Sequence, residues 1–352
     1  MIPNIPLSSV VTRVAPPTGP RRKLLHHLSD NDYELQIDNT SLTTFQECDR
    51  SALWSLVHGR KASPSYALIY GKIVHHCLEQ LYAAKRSGAT PDETKILASA
   101  EAMFQDTPPP VGEWRTFDKL SDMFRRYVKR YEGEDQTMRI ESVERAFAQP
   151  LMSVRLDTVL PFDGELLTDR TDGKTEVLGT YVENLFVTWT GVIDIMAEQN
   201  EKHWIVDHKT NSVEGPSFWT SFELSQQFHG YVWAAQKIAG HLFDGAIVNA
   251  IYGTAPAKTA ATQKSHRDKE FTRQYYYYKQ EHVEEWETNT KRTIENFIHE
   301  LTDVNGFPMK PHHCVHKFGT CKFHDVCRLV PQQRLTMLNS DQFVPNVWNP
   351  LD

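Results

Sequence analysis

The chain has 352 residues, 40% of them apolar and 24% charged, and a formal net charge of −7. That is the make-up of an ordinary globular chain, long enough for one large domain or for one core with attached parts. The acidic balance excludes nucleic-acid binding through global charge, no apolar run is long enough to cross a bilayer, and an odd count of five cysteines argues against a disulfide framework.

Residues 1–37, rich in Pro, Arg and Ser, read as a flexible arm. Its positive charges follow the apolar part, and Pro3, Pro6, Pro16 and Pro17 interrupt it, so it does not read as a signal peptide. A soluble intracellular protein is the expectation. Asn39, Thr40 and Ser41 offer caps for a short amphipathic helix marked by Leu42, Phe45, Leu53, Trp54 and Val57. A stronger helix follows, with Ile73, Val74, Cys77, Leu78 and Leu81 as its apolar stripe and Gly88 as its stop. Residues 92–105 form another helix, ended by Pro108–Pro110, and Phe117, Leu120, Phe124, Tyr127 and Tyr131 mark a third.

From about residue 140 the period changes to that of strands. Residues 139–152 and 154–162 read as two strands, and 183–200 with 202–210 as a hairpin. Residues 221–240 read as one helix with Leu224, Phe228, Tyr231, Val232 and Ala235 on one side. A buried strand at 244–254, a polar loop, an edge strand at 270–279 and a long surface helix from 281 complete the pattern. Helices around a set of strands make an α/β plan with helices on the sheet faces.

The apolar run Trp204-Ile205-Val206 stops at Asp207, and Lys209 shares the Asp207 face because side chains alternate along a strand. Asp194 lies thirteen positions earlier, so in an antiparallel pair the two carboxylates reach one pocket. Two such carboxylates repel unless a divalent cation lies between them, and Mg²⁺ or Mn²⁺ takes such oxygen ligands. The His208 carbonyl is a further oxygen donor. An ammonium beside them can polarise an attacking water and soften charge on a phosphorane-like transition state. A lone Asp-x-Lys is often just a surface pair, but its surroundings add weight. His75 and Glu79 share a helix face, with His75 a third ligand for the ion, and Gln227 and Tyr231 are spaced by four and can touch a phosphate.

These elements resemble the RecB-type branch of the PD-(D/E)XK nuclease superfamily, from about Leu42 to Cys327. The resemblance rests on Gly71, His75 and Glu79 in the first strong helix, Gly191 and Asp194, then Asp207-His208-Lys209 with Thr210, then Gln227 and Tyr231. Glu144 resembles a glutamate of the preceding strand. What the resemblance implies is a restriction-endonuclease-like core with a mixed central sheet flanked by helices. It also implies one or two divalent metals on His75, Asp194, Asp207 and the His208 carbonyl, with Lys209 assisting the water and a 5′-phosphate and 3′-hydroxyl as products.

Three of the cysteines, Cys314, Cys321 and Cys327, crowd within fourteen residues, and Cys48 is the fourth candidate; Cys77 falls in an apolar stripe and reads as core. Four thiolates can hold Zn²⁺ or an iron–sulfur cluster. The spacing is looser than in most zinc sites. The resemblance to nucleases of the AddB sort implies a 4Fe–4S cluster on Cys48, Cys314, Cys321 and Cys327, although six residues separate the first two of the trio where two are usual. In the zinc alternative His312, His313, His316 and His324 offer further ligands.

The division expected is therefore an arm at 1–37, a nuclease domain at 38–335 with a helical insertion at about 90–135 and cysteine-clamped ends, and a tail at 336–352. DNA, single-stranded or with free ends, is the expected partner. Arg125, Arg126, Lys129 and Arg130 are candidates for its backbone, and Phe218, Trp219 and Phe222 for stacking on bases. No phosphate-binding GxxxxGK[ST] loop is present, so a helicase or recombination partner would supply any motor. The expected setting is the cytoplasm of a bacterium or a phage-infected cell. The expected role is end processing in recombination or repair. The alternatives are a CRISPR adaptation nuclease that trims captured DNA and a non-catalytic DNA-binding module.

Overall fold

The computed structural model describes residues 25–161, 168–169, 175–176, 179–211, 215–253, 269–302, 306–316 and 319–347. The chain divides into two compact units. One comprises Met1–Ser63, Ala148–Thr190 and Thr288–Asp352, and the other Pro64–Phe147 and Gly191–Glu287.

In the first unit β1 (Leu25–Ser29) and β2 (Asp32–Ile37) make an antiparallel hairpin. The arm expected up to residue 37 therefore ends earlier. Leu25, Leu35 and Ile37 are buried, and that apolar alternation outweighs the polar residues between them. β2 runs parallel to the first part of β7 (Gly179–Gln199), from Asp32↔Asn184 to Ile37↔Trp189. The expected cap of the next helix shifts by one residue. Asp38, not Asn39, Thr40 or Ser41, caps α1 (Asn39–Glu47), its Oδ1 accepting from the Ser41 N–H at 2.6 Å. α2 (Asp49–Ala52) continues into a π-turn over Leu53–Val57, and β3 (Arg60–Ala62) follows.

The second unit begins with α3 (Tyr66–Arg86), capped by Ser65. Gly88, at φ 73°, closes it as expected. α4 (Glu93–Asp106) starts on the Asp92 carboxylate and α5 (Phe117–Asp135) on the Thr116 hydroxyl. β4 (Met138–Pro161) is one strand where two were expected. It pairs with β7, and an edge strand tolerates Pro150, which lacks an N–H to donate. Two short strands, β5 (Thr168–Asp169) and β6 (Thr175–Glu176), precede β7.

The second part of β7 pairs antiparallel with β8 (Lys202–Asn211), from Gln199↔Lys202 to Ile195↔Val206. β8 is parallel to β9 (Gly245–Tyr252), which is antiparallel to β10 (Phe271–Tyr277). The sheet is thus mixed. Val206, Trp204, Ile247 and Ile251 pack with Ile73, Leu78, Leu120, Phe124 and Tyr127 of α3 and α5 in one buried cluster. The expected helix over 221–240 is broken: α6 (Pro216–Thr220) is followed by a turn and then α7 (Gln226–Ala239), with Ser225 as cap. Leu224, expected inside, lies in that turn and is 84% exposed. α8 (Gln280–Thr302) is the long helix anticipated. The polar loop anticipated at 257–269 lies outside the described residues except for Lys269. No helix among the described residues is long and apolar enough to cross a membrane.

Candidate active site

Five elements deliver the site, through their segments in the second unit. α3 supplies His75, β4 supplies Glu144, the β7–β8 pair supplies Asp194, Asp207, His208 and Lys209, and α7 supplies Gln227 and Tyr231. Close approach is built into two glycines. A Cβ on Gly71 would stand 2.9 Å from Thr210 Oγ1, and one on Gly191 would stand 2.8 Å from the Phe147 ring and 3.1 Å from the Tyr231 ring. Side chains at these points would hold α3 away from β8, and β7 away from the rings beside it.

His75, Glu144 and Asp194 each present a ligand atom within 4.8 Å of the others. His75 Nδ1 is 3.5 Å from Asp194 Oδ2. The same carboxylate oxygen accepts the His208 backbone N–H at 2.8 Å. In an extended strand the N–H and C=O of one residue point the same way. The β7–β8 ladder ends at Val206, so the His208 carbonyl faces the Asp194 side beyond the last ladder rung.

Asp207, 3% exposed, stands beside this triplet. Its Oδ2 meets Lys209 Nζ at 2.7 Å, and Lys209 also donates to Gln227 Oε1 at 3.1 Å. The Gln227 amide donates in turn to Asp207 Oδ1 at 3.5 Å. Gln227 therefore holds both members of the ion pair, a role different from the phosphate contact expected of it. Tyr231 packs edge-on against Phe147, with ring centroids 5.9 Å apart.

The fields in this pocket disclose crowded negative charge. Burial, then the charges of Asp194, Glu79 and Asp207, push the Glu144 carboxyl up to about 8. Burial and Asp207 likewise raise Asp194, while His75, the His208 N–H and Lys209 pull it back. A cation among these carboxylates would relieve both shifts.

Behind β8 the His208 ring is buried, stacks on Tyr82 with centroids 5.5 Å apart, and places Nδ1 2.7 Å from the Asn249 amide. Burial, with His75, Arg273 and Lys209 nearby, keeps its imidazole neutral by lowering its pKa. Asn249 donates to Tyr127 Oη at 2.6 Å, and Arg273 donates to Tyr82 Oη at 2.6 Å and pairs with Asp135 at 2.7 Å. This network fixes the strand from which Asp207 and Lys209 project. Sequence reasoning missed it, because Asn249 and Arg273 lie on strands without a short-motif signal.

The nucleic-acid candidates need correction at two positions. Arg126 lies in a bidentate pair with Glu270, at 2.8 and 2.6 Å, and in a further pair with Asp122, so it is engaged inside the protein. Arg125, Lys129 and Arg130 are exposed on α5. Phe222 is buried, stacked on Phe228 at 5.4 Å, so it is core; Phe218 and Trp219 are half-buried. A cleft of about 130 Å³ at the end of β8, lined by Tyr70, Trp114, Arg115 and Thr210, was not anticipated. In it the Arg115 guanidinium lies 4.4 Å from the Trp114 ring centroid. The one available sign was an adjacent tryptophan and arginine in a helix-breaking loop.

In the first unit Cys48, Cys314, Cys321 and Cys327 line one small pocket, with His313 and His324 at its wall. The Lys310 N–H is directed at Cys48 Sγ at 3.5 Å, and the Trp54 indole N–H at Cys327 Sγ at 3.4 Å. Burial, then Cys321 and Cys48, raise the Cys314 thiol; burial also raises Cys327, with the Trp54 N–H opposing it. Cys77 is 1% exposed in the core of the second unit, as expected, and burial pushes it up to about 12.

A family model described as the PD-(D/E)XK nuclease superfamily matches residues 39–328. No curated protein matches the chain. Among solved structures, a candidate exonuclease from Eubacterium rectale is similar at 13% identity, covering 86% of this chain and 92% of its own with a TM-score of 0.41. A protein named SSO0001 is 13% identical, covering 65% of this chain and 73% of its own with a TM-score of 0.22.

Proposed function

The chain belongs to the PD-(D/E)XK nuclease superfamily, and from that premise we propose that it is a divalent-metal-dependent deoxyribonuclease of the RecB type that degrades DNA from its ends. One observation carries the reading. The imidazole of His75 and the carboxylates of Glu144 and Asp194 converge within 4.8 Å beside the Asp207–Lys209 ion pair.

These residues fit a hard divalent ion. His75, Glu144 and Asp194 would hold Mg²⁺ or Mn²⁺, with Asp207 and the His208 carbonyl as the adjoining oxygens. When bound, such an ion polarises a phosphoryl oxygen and makes a water more acidic. The protein's own groups then act on the substrate. Lys209, restrained by Asp207 and Gln227, presents an ammonium to the negative charge that builds on the phosphoryl oxygens. The water oxygen bonds to phosphorus, the bond to the 3′ oxygen breaks, and that oxygen leaves as a hydroxyl after taking up a proton. The product ends are a 5′-phosphate and a 3′-hydroxyl. The cleft with Tyr70, Trp114 and Arg115 adjoins Thr210, one residue past Lys209, and offers an aromatic and a guanidinium to an unstacked base. Arg125, Lys129 and Arg130 supply charge for phosphates. A role in end processing during recombination or repair, in the cytoplasm and beside a helicase or recombination partner, fits such an activity.

The four cysteines fit a 4Fe–4S cluster. They line one pocket, two of their sulfurs face N–H donors, and burial with neighbouring thiols raises Cys314 and Cys327, which a cationic centre would relieve. Zinc held by some of them with His313 or His324 is the competing outcome.

The test is a pair of measurements on protein purified without air. Iron and zinc content distinguishes the two centres. End-labelled single- and double-stranded DNA is then incubated with Mg²⁺ or Mn²⁺, using wild type and Lys209→Ala. The expected result is release of nucleotides from ends, reduced about 10²–10³-fold in the variant while DNA binding is retained. Undiminished cleavage by Lys209→Ala would overturn the assignment of the site.

A further inference from the structure

Glu141, His203 and His241 meet at the opposite end of β8 from Lys209, about 13 Å along the strand from Asp207. Glu141 lies on β4, His203 on the second residue of β8, and His241 in the turn after α7. Each presents a ligand atom within 4.8 Å of the other two. His203 Nδ1 is 3.4 Å from Glu141 Oε1. Two ligands each about 2.0–2.1 Å from a tetrahedral ion are about 3.4 Å apart, so this pair already has the spacing of one edge of a zinc site. His203 Nδ1 is enclosed and has no hydrogen-bond partner among the described residues.

The imidazoles are held in place without an ion. Their ring centroids are 4.0 Å apart. His241 stacks on Phe243 at 5.4 Å with an interplanar angle of 6°, and His203 packs on the same buried ring at 5.7 Å. The His203 backbone N–H donates to Asp244 Oδ2 at 3.0 Å. Two imidazoles so close repel when both are protonated, whereas two neutral ones can share a cation. His241 is exposed and provides the way in. Arg139 Nη2 donates to the same Glu141 oxygen at 3.1 Å, but Arg139 is 65% exposed and also pairs with Glu198, so a cation can displace it from Glu141.

We propose that Glu141, His203 and His241 form a second metal site, separate from the His75 centre, that takes one Zn²⁺ or a similar first-row divalent ion with its fourth position open to water. Two imidazoles and one carboxylate suit zinc better than Mg²⁺ or Ca²⁺, which prefer oxygen throughout. The ion ties β4, β8 and the end of α7. Those elements also carry Glu144, Asp207 with Lys209, and Gln227, but none of the three ligands belongs to the His75 centre.

The experiment counts Zn²⁺ equivalents bound by the full chain after equilibrium dialysis, and records the melting temperature with and without Zn²⁺. Wild type is compared with His241→Ala, Glu141→Gln and His75→Ala. The expected result is one equivalent fewer in His241→Ala and in Glu141→Gln, and a smaller Zn²⁺-dependent rise in melting temperature. The equivalent lost in His75→Ala is a different one, so a double variant with His241→Ala loses both. Mg²⁺-dependent cleavage persists in His241→Ala. If His241→Ala and Glu141→Gln both bind as many equivalents as wild type, the site does not exist. Absence of cleavage in wild type would overturn the nuclease reading alone, since the zinc count is independent of it.

Discussion

Glu144 is placed against two opposing forces. Its backbone, at φ 45°, lies in the left-handed region that costs a residue with a Cβ roughly 1–2 kcal/mol. Its carboxyl is pushed up to about 8 by burial and by three neighbouring carboxylates. Strain of this kind persists where a site over-determines it. The linkage has a definite sign. The folded state holds this proton more tightly than the unfolded chain, whose glutamates titrate near 4.3. Between those values the folded state binds more protons than the unfolded, so stability without metal falls as pH rises from about 4.5 to 8. Melting temperatures in a chelating buffer should therefore decline over that range in wild type and decline less in Glu144→Gln. Added Mn²⁺ should reverse the trend, because the ion takes the carboxylate and competes with the proton. Parallel profiles for the two proteins would remove Glu144 from the centre. In the sequence Glu144 carried only a faint signal. One glutamate on a strand says nothing of its backbone angle, nor of the carboxylates that other strands bring beside it. Asp207 and Lys209 were legible because the strand period puts them on one face, Asp194 through the hairpin, and His75 and Gln227 through the resemblance of their motifs.

At the scale of elements, long periodic segments were readable and their breaks were not. The stripe of α3 and the β7–β8 hairpin follow from burial patterns local to each segment. The interruption between α6 and α7 depends on Ser225 capping a new helix through the Phe228 N–H, at 3.3 Å, while Phe222 turns inward onto Phe228. Periodicity alone counted both helices as one. Close packing between elements is carried instead by single glycines. At Gly191 an added methyl would stand 2.8 Å from Phe147 and 3.1 Å from Tyr231. Those rings already pack edge to face, so neither can withdraw freely. Gly191→Ala should destabilise the fold by about 1–3 kcal/mol, the usual cost of overpacking, measured by urea unfolding. It should also lower cleavage, since Asp194 lies three residues further along the same strand. A variant as stable and as active as wild type would show that the rings yield and that this glycine does not position the carboxylate.

For the molecule as a whole the informative fact is how far apart in sequence the cysteine pocket is drawn together. Cys48 is in the first segment of the first unit, and Cys314, Cys321 and Cys327 are in its last, with 265 residues between Cys48 and Cys314. The crowded trio was visible in the sequence. That Cys48 rather than Cys77 joins it is a matter of tertiary placement: Cys77 faces a core cluster in the second unit, while Cys48 lies against the Lys310 backbone. A metal centre on all four would close a loop of that length. In the chain-entropy picture, a crosslink over a loop this long removes about 5 kcal/mol of unfolded-state freedom, less any strain in the folded state. Cys48→Ser should therefore lose the bound metal and melt lower by roughly 10 °C, given about 2–4 °C per kcal/mol for a large domain and some residual structure in the unfolded chain. Cys77→Ser, which introduces a hydroxyl into an apolar core, should lose stability while keeping the full metal content. The contrast between the two variants separates the staple from ordinary packing. Full metal content in Cys48→Ser would assign the centre to the C-terminal trio and a histidine, with His313 and His324 nearest to hand, and the closure between the two ends of the chain would then have to come from apolar burial alone.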